Sequence, residues 1–163
     1  FEELDTTRER TDGAIAQLKE MGFPESRIFK APIQQRMEIP TALDAANTML
    51  TRHPNVKHWI VGGPNDNSVL GAVRALEGRG IKAEDAIAVG INGTDCIGEL
   101  EKSNPTSFYG SILGLAGVEG YESSKMLYHW IKDGKEPPLD TRTVGRLITR
   151  EHFRQVLKAE GMD

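Results

Sequence analysis

Apolar and polar positions along this chain switch between two periods. Ala14, Ile15, Leu18 and Met21 recur at helical spacing, Thr6-x-x-Glu9 ahead of them has capping-box spacing, and Gly22 stops the run. Arg27 to Ala31 reads as a short strand. Ala42, Leu43, Ala46, Met49 and Leu50 give a second helix, entered at Pro40 and ended before His53-Pro54. Lys57 to Val61 reads as a strand, Ser68 to Glu77 as a helix ended by Gly78 and Gly80, and Ala86 to Ile91 as another strand. Thr94 is placed to cap a helix carrying Cys96, Ile97 and Leu100. Ser107 to Ser111 is strand-like, Gly114-Leu115-Ala116-Gly117 breaks it, and a helix with Tyr121, Ser124, Met126, Leu127, Tyr128 and Ile131 follows. After a turn at Gly134 to Pro138, Arg142 to Ile148 reads as a strand and Thr149 as the cap of a last helix with Phe153, Val156 and Leu157. Sustained alternation of strand and helix marks an α/β fold, here a Rossmann-like parallel sheet flanked by helices. The chain opens on a helix signal with no strand before it. The first strand of the sheet is therefore expected to be missing, which would leave an unpaired edge.

Two segments share one design. His58-Trp59-Ile60-Val61-Gly62-Gly63-Pro64-Asn65-Asp66 and Ala86-Ile87-Ala88-Val89-Gly90-Ile91-Asn92-Gly93-Thr94-Asp95 each run apolar, pass a glycine and reach an Asn ahead of a helix. Ligands of open parallel sheets bind just beyond the carboxyl ends of strands. Amides placed there offer donors and acceptors, as hydroxyl groups do, and so suit a neutral polyhydroxylated ligand. The alternative role of Asn65 and Asn92 is turn chemistry and helix capping. Asp66 and Asp95 read as helix caps or first-turn carboxylates. Arg10 lies in the first turn of its helix, where a cation is slightly unfavourable; facing a cleft, its planar fork could donate to two oxygens of one ligand.

Composition narrows the function classes. The 163 residues suffice for one domain with a sizeable core, and 38% hydrophobic with 27% charged residues is ordinary for a globular protein. The net charge of −4 and the lack of a Lys/Arg run argue against a nucleic-acid surface or an anionic membrane. No apolar stretch approaches the roughly 20 residues of a membrane helix. Cys96, alone, makes no internal disulfide and reads as core, as does Trp59. His53, His58, His129 and His152 lack metal-ligand spacing, and there is no Ser-His-Asp pattern, P-loop or dinucleotide fingerprint. The expectation is a binding protein with no cofactor and no catalytic residues. With Phe1 in place of an initiator Met, the chain is expected to be a processed, truncated or cleaved piece.

Loops as well as core then carry a resemblance. Glu3-Leu4-Asp5-Thr6-Thr7-Arg8-Glu9-Arg10-Thr11, Gly22-Phe23-Pro24-Glu25, Asp44-Ala45-Ala46-Asn47 and His53-Pro54-Asn55-Val56-Lys57-His58-Trp59 are similar to the arabinose-binding branch of the type I periplasmic sugar-binding protein family. So are Asn65-Asp66, Gly90-Ile91-Asn92-Gly93, Phe108-Tyr109-Gly110-Ser111 and Leu147-Ile148-Thr149-Arg150. The similarity extends over essentially the whole chain. Members are two-lobed monosaccharide receptors of roughly double this length that deliver sugar to an ABC transporter.

The resemblance implies a site and a division of the chain. Arg10 matches the family's sugar-binding arginine, Asn65 and Asn92 its two sugar-binding asparagines, and Leu4 and Thr6 residues that line the cleft. Pro64 stands where relatives have Met beside the sugar, and Gly114 where they have a hinge Pro. Both departures sit near the point where pentose and hexose are told apart. Residues 1–111 would belong to the C-terminal lobe, 112–141 to an excursion into the N-terminal lobe, and 142–163 to the return crossing and last helix. On this division the N-terminal lobe would otherwise be missing. The implied ligand is arabinose, with galactose or fucose as alternatives; the implied partner is a membrane ABC transporter permease, in the periplasm, and no nucleic acid. The main rival is the sugar-sensing domain of a lactose-repressor-type regulator, which shares the fold and the site logic; a piece of a sugar enzyme is a weaker one.

Overall fold

A computed structural model describes residues 5–33 and 36–162. Helix α1 (Asp5–Glu20) begins at Asp5, so Thr6 and Glu9 fall inside its first turns rather than at a cap. Next comes α2 (Ile39–Arg52), whose start is held by a reciprocal pair. The Glu38 side chain accepts the backbone N–H of Thr41, and Thr41 Oγ1 accepts that of Glu38 at 3.3 Å. Pro40 sits in the first turn, where its missing N–H costs no helix bond.

Then follow β1 (Trp59–Gly62), α3 (Asp66–Gly78), β2 (Ala86–Asn92), the short α4 (Ile97–Leu100), β3 (Phe108–Leu113), α5 (Ala116–Asp133), β4 (Arg146–Thr149) and α6 (Phe153–Ala159). The sheet order is β1-β2-β3-β4. β1 pairs with β2 in parallel through Trp59↔Ala86 to Gly62↔Val89, and β2 with β3 in parallel with a register shift between Ala88 and Val89. β4 is antiparallel to β3, through Gly110↔Thr149 to Leu113↔Arg146. The expected parallel sheet thus carries one antiparallel edge strand. An antiparallel partner needs no helical crossover back to the same end of the sheet, and α5 stands between the two strands in the chain.

Three local expectations change as well. Arg27 to Ala31 forms no strand: Glu25–Arg27 is a 3-10 turn and residues 28–33 are irregular. A strand is defined by its ladder, and among the described residues the outer edge of β1 is unpaired. Phe29 instead stacks on the His53 ring at 3.8 Å. Thr94 does not cap α4, which starts at Ile97 with Cys96 in the cap position. Thr149 does not cap α6; it bonds His152 Nδ1 at 2.7 Å, and His152 is the cap residue.

The core lies on one face of the sheet. Ala88, Phe108, Leu113 and Ile148 from the strands meet Val69, Leu70 and Val73 of α3, Cys96 and Leu100 around α4, and Phe153 of α6. A second cluster joins Leu50 of α2 to Ala75, Leu76 and Ala86, with Trp59 packed on it. The two helices come close because residue 71 is glycine: a Cβ there would lie 2.5 Å from the Ile39 carbonyl oxygen and 2.6 Å from Ala42 Cβ. The buried Glu99 is held by Arg74, by Lys102 at 2.8 Å and by Thr106 at 2.7 Å. Arg150 donates to the carbonyls of Glu99, Leu100 and Lys102, which satisfies the end of α4.

The opposite face differs. Ile60 and Ile87 are cross-strand partners, yet 57% and 52% exposed, and Tyr109 and Leu147 are exposed too. Helix α5 buries no residue, and Val118, Tyr121, Leu127, Tyr128, Trp130 and Ile131 are all exposed along it. No described helix is long and apolar enough to cross a membrane.

Candidate binding wall at the carboxyl ends of two parallel strands

β1 ends at Gly62 and the chain turns through Gly63 and Pro64 into α3. The turn is tight: a Cβ on Gly63 would lie 2.8 Å from Val69 Cγ2. Asn65 has extended backbone and caps α3; its Oδ1 accepts the Ser68 N–H at 2.8 Å and the Ser68 hydroxyl at 2.5 Å. Its Nδ2 donates to the Met37 carbonyl at 3.2 Å. The capping role set beside a ligand role for Asn65 is thus real. It fully occupies the amide oxygen and leaves one N–H without a partner among the described residues.

β2 ends at Asn92, which has a φ of 110°, followed by Gly93 at 82°. A non-glycine residue in that region is uncommon, although Asn tolerates it better than most. Gly93 must be glycine for a second reason, since a Cβ there would lie 2.7 Å from the Leu113 backbone. The turn lifts the Asn92 side chain toward α1. Arg10 Nη1 donates to Asn92 Oδ1 at 3.1 Å and to the Pro64 carbonyl at 2.8 Å.

One guanidinium nitrogen thereby ties both strand ends together. Its two hydrogens are used, while Nη2 and Nε have no hydrogen-bond partner among the described residues. Arg10, Pro64 and Asn92 converge directly, and Asn65 follows Pro64 in the chain. Leu4 and the side chain of Thr6 lie outside the described residues. The surface made by the three side chains is rich in donors: free guanidinium N–H groups, one Asn65 N–H and the Asn92 amide. Asn65 offers only a donor there, since its oxygen already takes two hydrogens. Such a surface suits the lone pairs of hydroxyl and ring oxygens.

Below this wall lies a residue that motif reading assigned only to a helix start. Asp66 is the first residue of α3 and completely buried. Its Oδ2 accepts the Gly93 N–H at 2.9 Å and its Oδ1 accepts the Ser111 hydroxyl at 2.5 Å. Burial pushes its carboxyl above the ordinary aspartate range, against the pull of these bonds and one from the Cys96 thiol. Cys96 is pushed up to about 12, by burial and then by the Asp66 charge, so it stays an inert thiol. Gly90 was the available signal. A Cβ on it would overlap the Asp66 carboxylate, and a glycine inside a strand often marks such a close approach. No group of three or more His, Cys, Asp or Glu among the described residues is arranged to hold a metal ion.

Residues 2–153 match the family described as periplasmic binding proteins and sugar binding domain of LacI family. The chain is 50% identical over 161 residues to the L-arabinose-binding periplasmic protein of Escherichia coli strain K12, covering 98% of this chain and 49% of that one. It is 46% identical over 159 residues to the ABC transporter L-arabinose-binding periplasmic protein of Azospirillum brasilense, covering 97% of this chain and 47% of the other. Among solved structures, a periplasmic ribose ABC transporter protein from Conexibacter woesei superposes with a TM-score of 0.76 at 21% identity, over 93% of this chain and 48% of that one. The chain spans about half the length of the curated relatives it matches. With the fold and a match over nearly its full length in agreement, the chain belongs to the family of periplasmic binding proteins and LacI-type sugar-binding domains.

Proposed function

We propose that this chain forms one wall of a monosaccharide receptor that works by binding and release, not by catalysis. The observation that carries the reading is the Arg10 guanidinium joined to Pro64 O and Asn92 Oδ1, with donors left over at the ends of two parallel strands. In the proposed site, Arg10 donates to ring and hydroxyl oxygens of the sugar through Nη2 and Nε. Asn92 and the spare N–H of Asn65 reach neighbouring hydroxyls, and Pro64, Leu4 and Thr6 line the cleft. L-arabinose is the proposed ligand, because both curated relatives carry that sugar in their names. Galactose and fucose are the competitors to test against it. Hydrogen-bonded hydroxyl recognition discriminates strongly, since an epimer leaves a buried polar group unpaired.

The complementary wall belongs to a second lobe. Residues 1–111 and 142–163 make most of one lobe, and 112–141 reach into the other; the exposed apolar side of α5 supports that division. The lobes close on the sugar by hinge motion in the periplasm, and the closed form is handed to an ABC transporter permease. The names of both relatives favour this over the repressor-type sensor.

Calorimetric titration of the full-length protein with a panel of pentoses and hexoses tests the reading. Micromolar or tighter binding of L-arabinose, weakened in Arg10→Ala, is the expected result. Tight binding of a hexose alone would move the assignment to that sugar. Absence of binding to every sugar, or turnover of one, would overturn it.

A further inference from the structure

We infer that Asp66 is the positioning residue that sets the distance and angle between the two asparagines of the wall, an inference that rests on the sugar-receptor reading. A fully buried carboxylate needs a reason, because isolated burial of charge is costly. Packing alone does not supply one. Asp66 occupies a slot that exists only because residue 90 lacks a Cβ, and in it meets three donors: Gly93 N–H, the Ser111 hydroxyl and the Cys96 thiol. These come from the β2–α4 turn, from β3 and from the start of α4.

Two of its connections lead straight to the wall. Asp66 follows Asn65 by one peptide bond, so fixing its carboxylate fixes the Asn65 cap and the first turn of α3. Gly93 follows Asn92 by one peptide bond, so its N–H on Asp66 Oδ2 holds Asn92 at a φ of 110°. Ser111 anchors the same carboxylate to the central sheet. The asparagines are therefore indexed to each other through one side chain beneath them, while Arg10 indexes them from above through Pro64 O and Asn92 Oδ1. Sugar hydroxyls have fixed spacings, and loosening a ligand group by about 1 Å can cost up to a hundredfold in function.

The test compares three variants of the full-length protein. Asp66→Ala removes the acceptor. Asp66→Asn keeps one oxygen for Gly93 and can donate to the Ser111 oxygen. Val73→Ala loosens the α3 core without touching the turn, and serves as the control for lost stability. The readouts are L-arabinose affinity by calorimetry and, without sugar, the Gly93 amide shift and the Asn92 backbone coupling constant by NMR. Expected are a shifted Gly93 amide, an altered Asn92 coupling and affinity weakened roughly tenfold or more in Asp66→Ala. Asp66→Asn should restore most of each, and Val73→Ala should change neither signature.

Affinity falling equally in Asp66→Ala and Val73→Ala, with the Asn92 coupling unchanged, would make Asp66 a purely structural residue and overturn the inference. If the wild-type protein binds no sugar, the proposed function fails by itself; the two NMR signatures then still decide whether Asp66 sets the asparagines.

Discussion

Arg10 is the residue on which the wall most depends. Its Nη1 holds two strand ends, and its remaining hydrogens face outward. Replacing it with alanine in the full-length protein should weaken L-arabinose binding by about 1.5–3 kcal/mol, the scale of a charged hydrogen-bond donor. Calorimetry reads this, and an unchanged dissociation constant would remove Arg10 from the site. Asn92 was legible in sequence as the last residue of an apolar run; its positive φ was not, because a dihedral angle leaves no mark on composition. Asn65 was legible twice, as cap and as ligand, and its cap role takes its oxygen. Asp66 was legible as a cap or first-turn carboxylate but its burial was not, because nothing local distinguishes such a carboxylate in water from one under a strand. Glu99 titrates in the opposite sense to Asp66. Burial works to raise its pKa, but bonds from Lys102, Thr106 and Arg74 outweigh that and hold it below the ordinary glutamate range. Its stabilising contribution is then complete above the unfolded value and lost as pH falls through the lower folded value. Asp66, raised in the fold, gives a contribution present below its unfolded value and lost as pH rises. Urea unfolding of Glu99→Gln should show a flatter loss of stability than the parent chain as pH falls through the acid range.

At the scale of elements, glycines decide where strands and helices approach each other. A Cβ on Gly110 would overlap the Ile148 carbonyl of the antiparallel strand, and one on Gly71 would push α3 off α2. Gly71→Ala and Gly110→Ala should each cost about 1–3 kcal/mol, the usual range for overpacking a filled interface. A midpoint shift in urea, with the slope unchanged, is the measurement. Unchanged midpoints would mean that the backbone yields at these crossings. Periodicity located β1, β2 and β3 to within about two residues, as strongly apolar runs allow. It failed at Arg27 to Ala31, where the side chains have strand character but no ladder forms among the described residues. It also missed the direction of β4, since hydrophobic pattern is the same for a parallel and an antiparallel strand.

At the scale of the whole molecule, two apolar surfaces are uncovered among the described residues. One is the sheet face with Ile60, Ile87, Tyr109 and Leu147; the other runs along α5 through Tyr121, Leu127, Tyr128 and Ile131. Soluble monomers rarely leave contiguous patches larger than a few hundred Å² open. The 163-residue chain by itself should therefore associate in solution, and light scattering should give a mass above that of one copy. A stable monomer over a wide concentration range would refute this. The same isolated chain should bind L-arabinose far more weakly than the full-length protein, because the proposed second wall is absent. Micromolar or tighter affinity for a monomer of this chain would show that the wall suffices alone.

Local order along the chain decided most of the helices and strands, Arg27 to Ala31 excepted, and placed Asn65 and Asn92 at the ends of two strands. Those outcomes depend on neighbours a few residues away, which a single sequence displays directly. Tertiary structure decided which donors each asparagine keeps, that Arg10 reaches across 54 and 82 positions to Pro64 and Asn92, and that Asp66 is buried beneath them. Those depend on distances between segments far apart in the chain. Such distances arise only when the sheet closes, β2 and β3 take their shifted register, and Gly90 leaves room for a carboxylate.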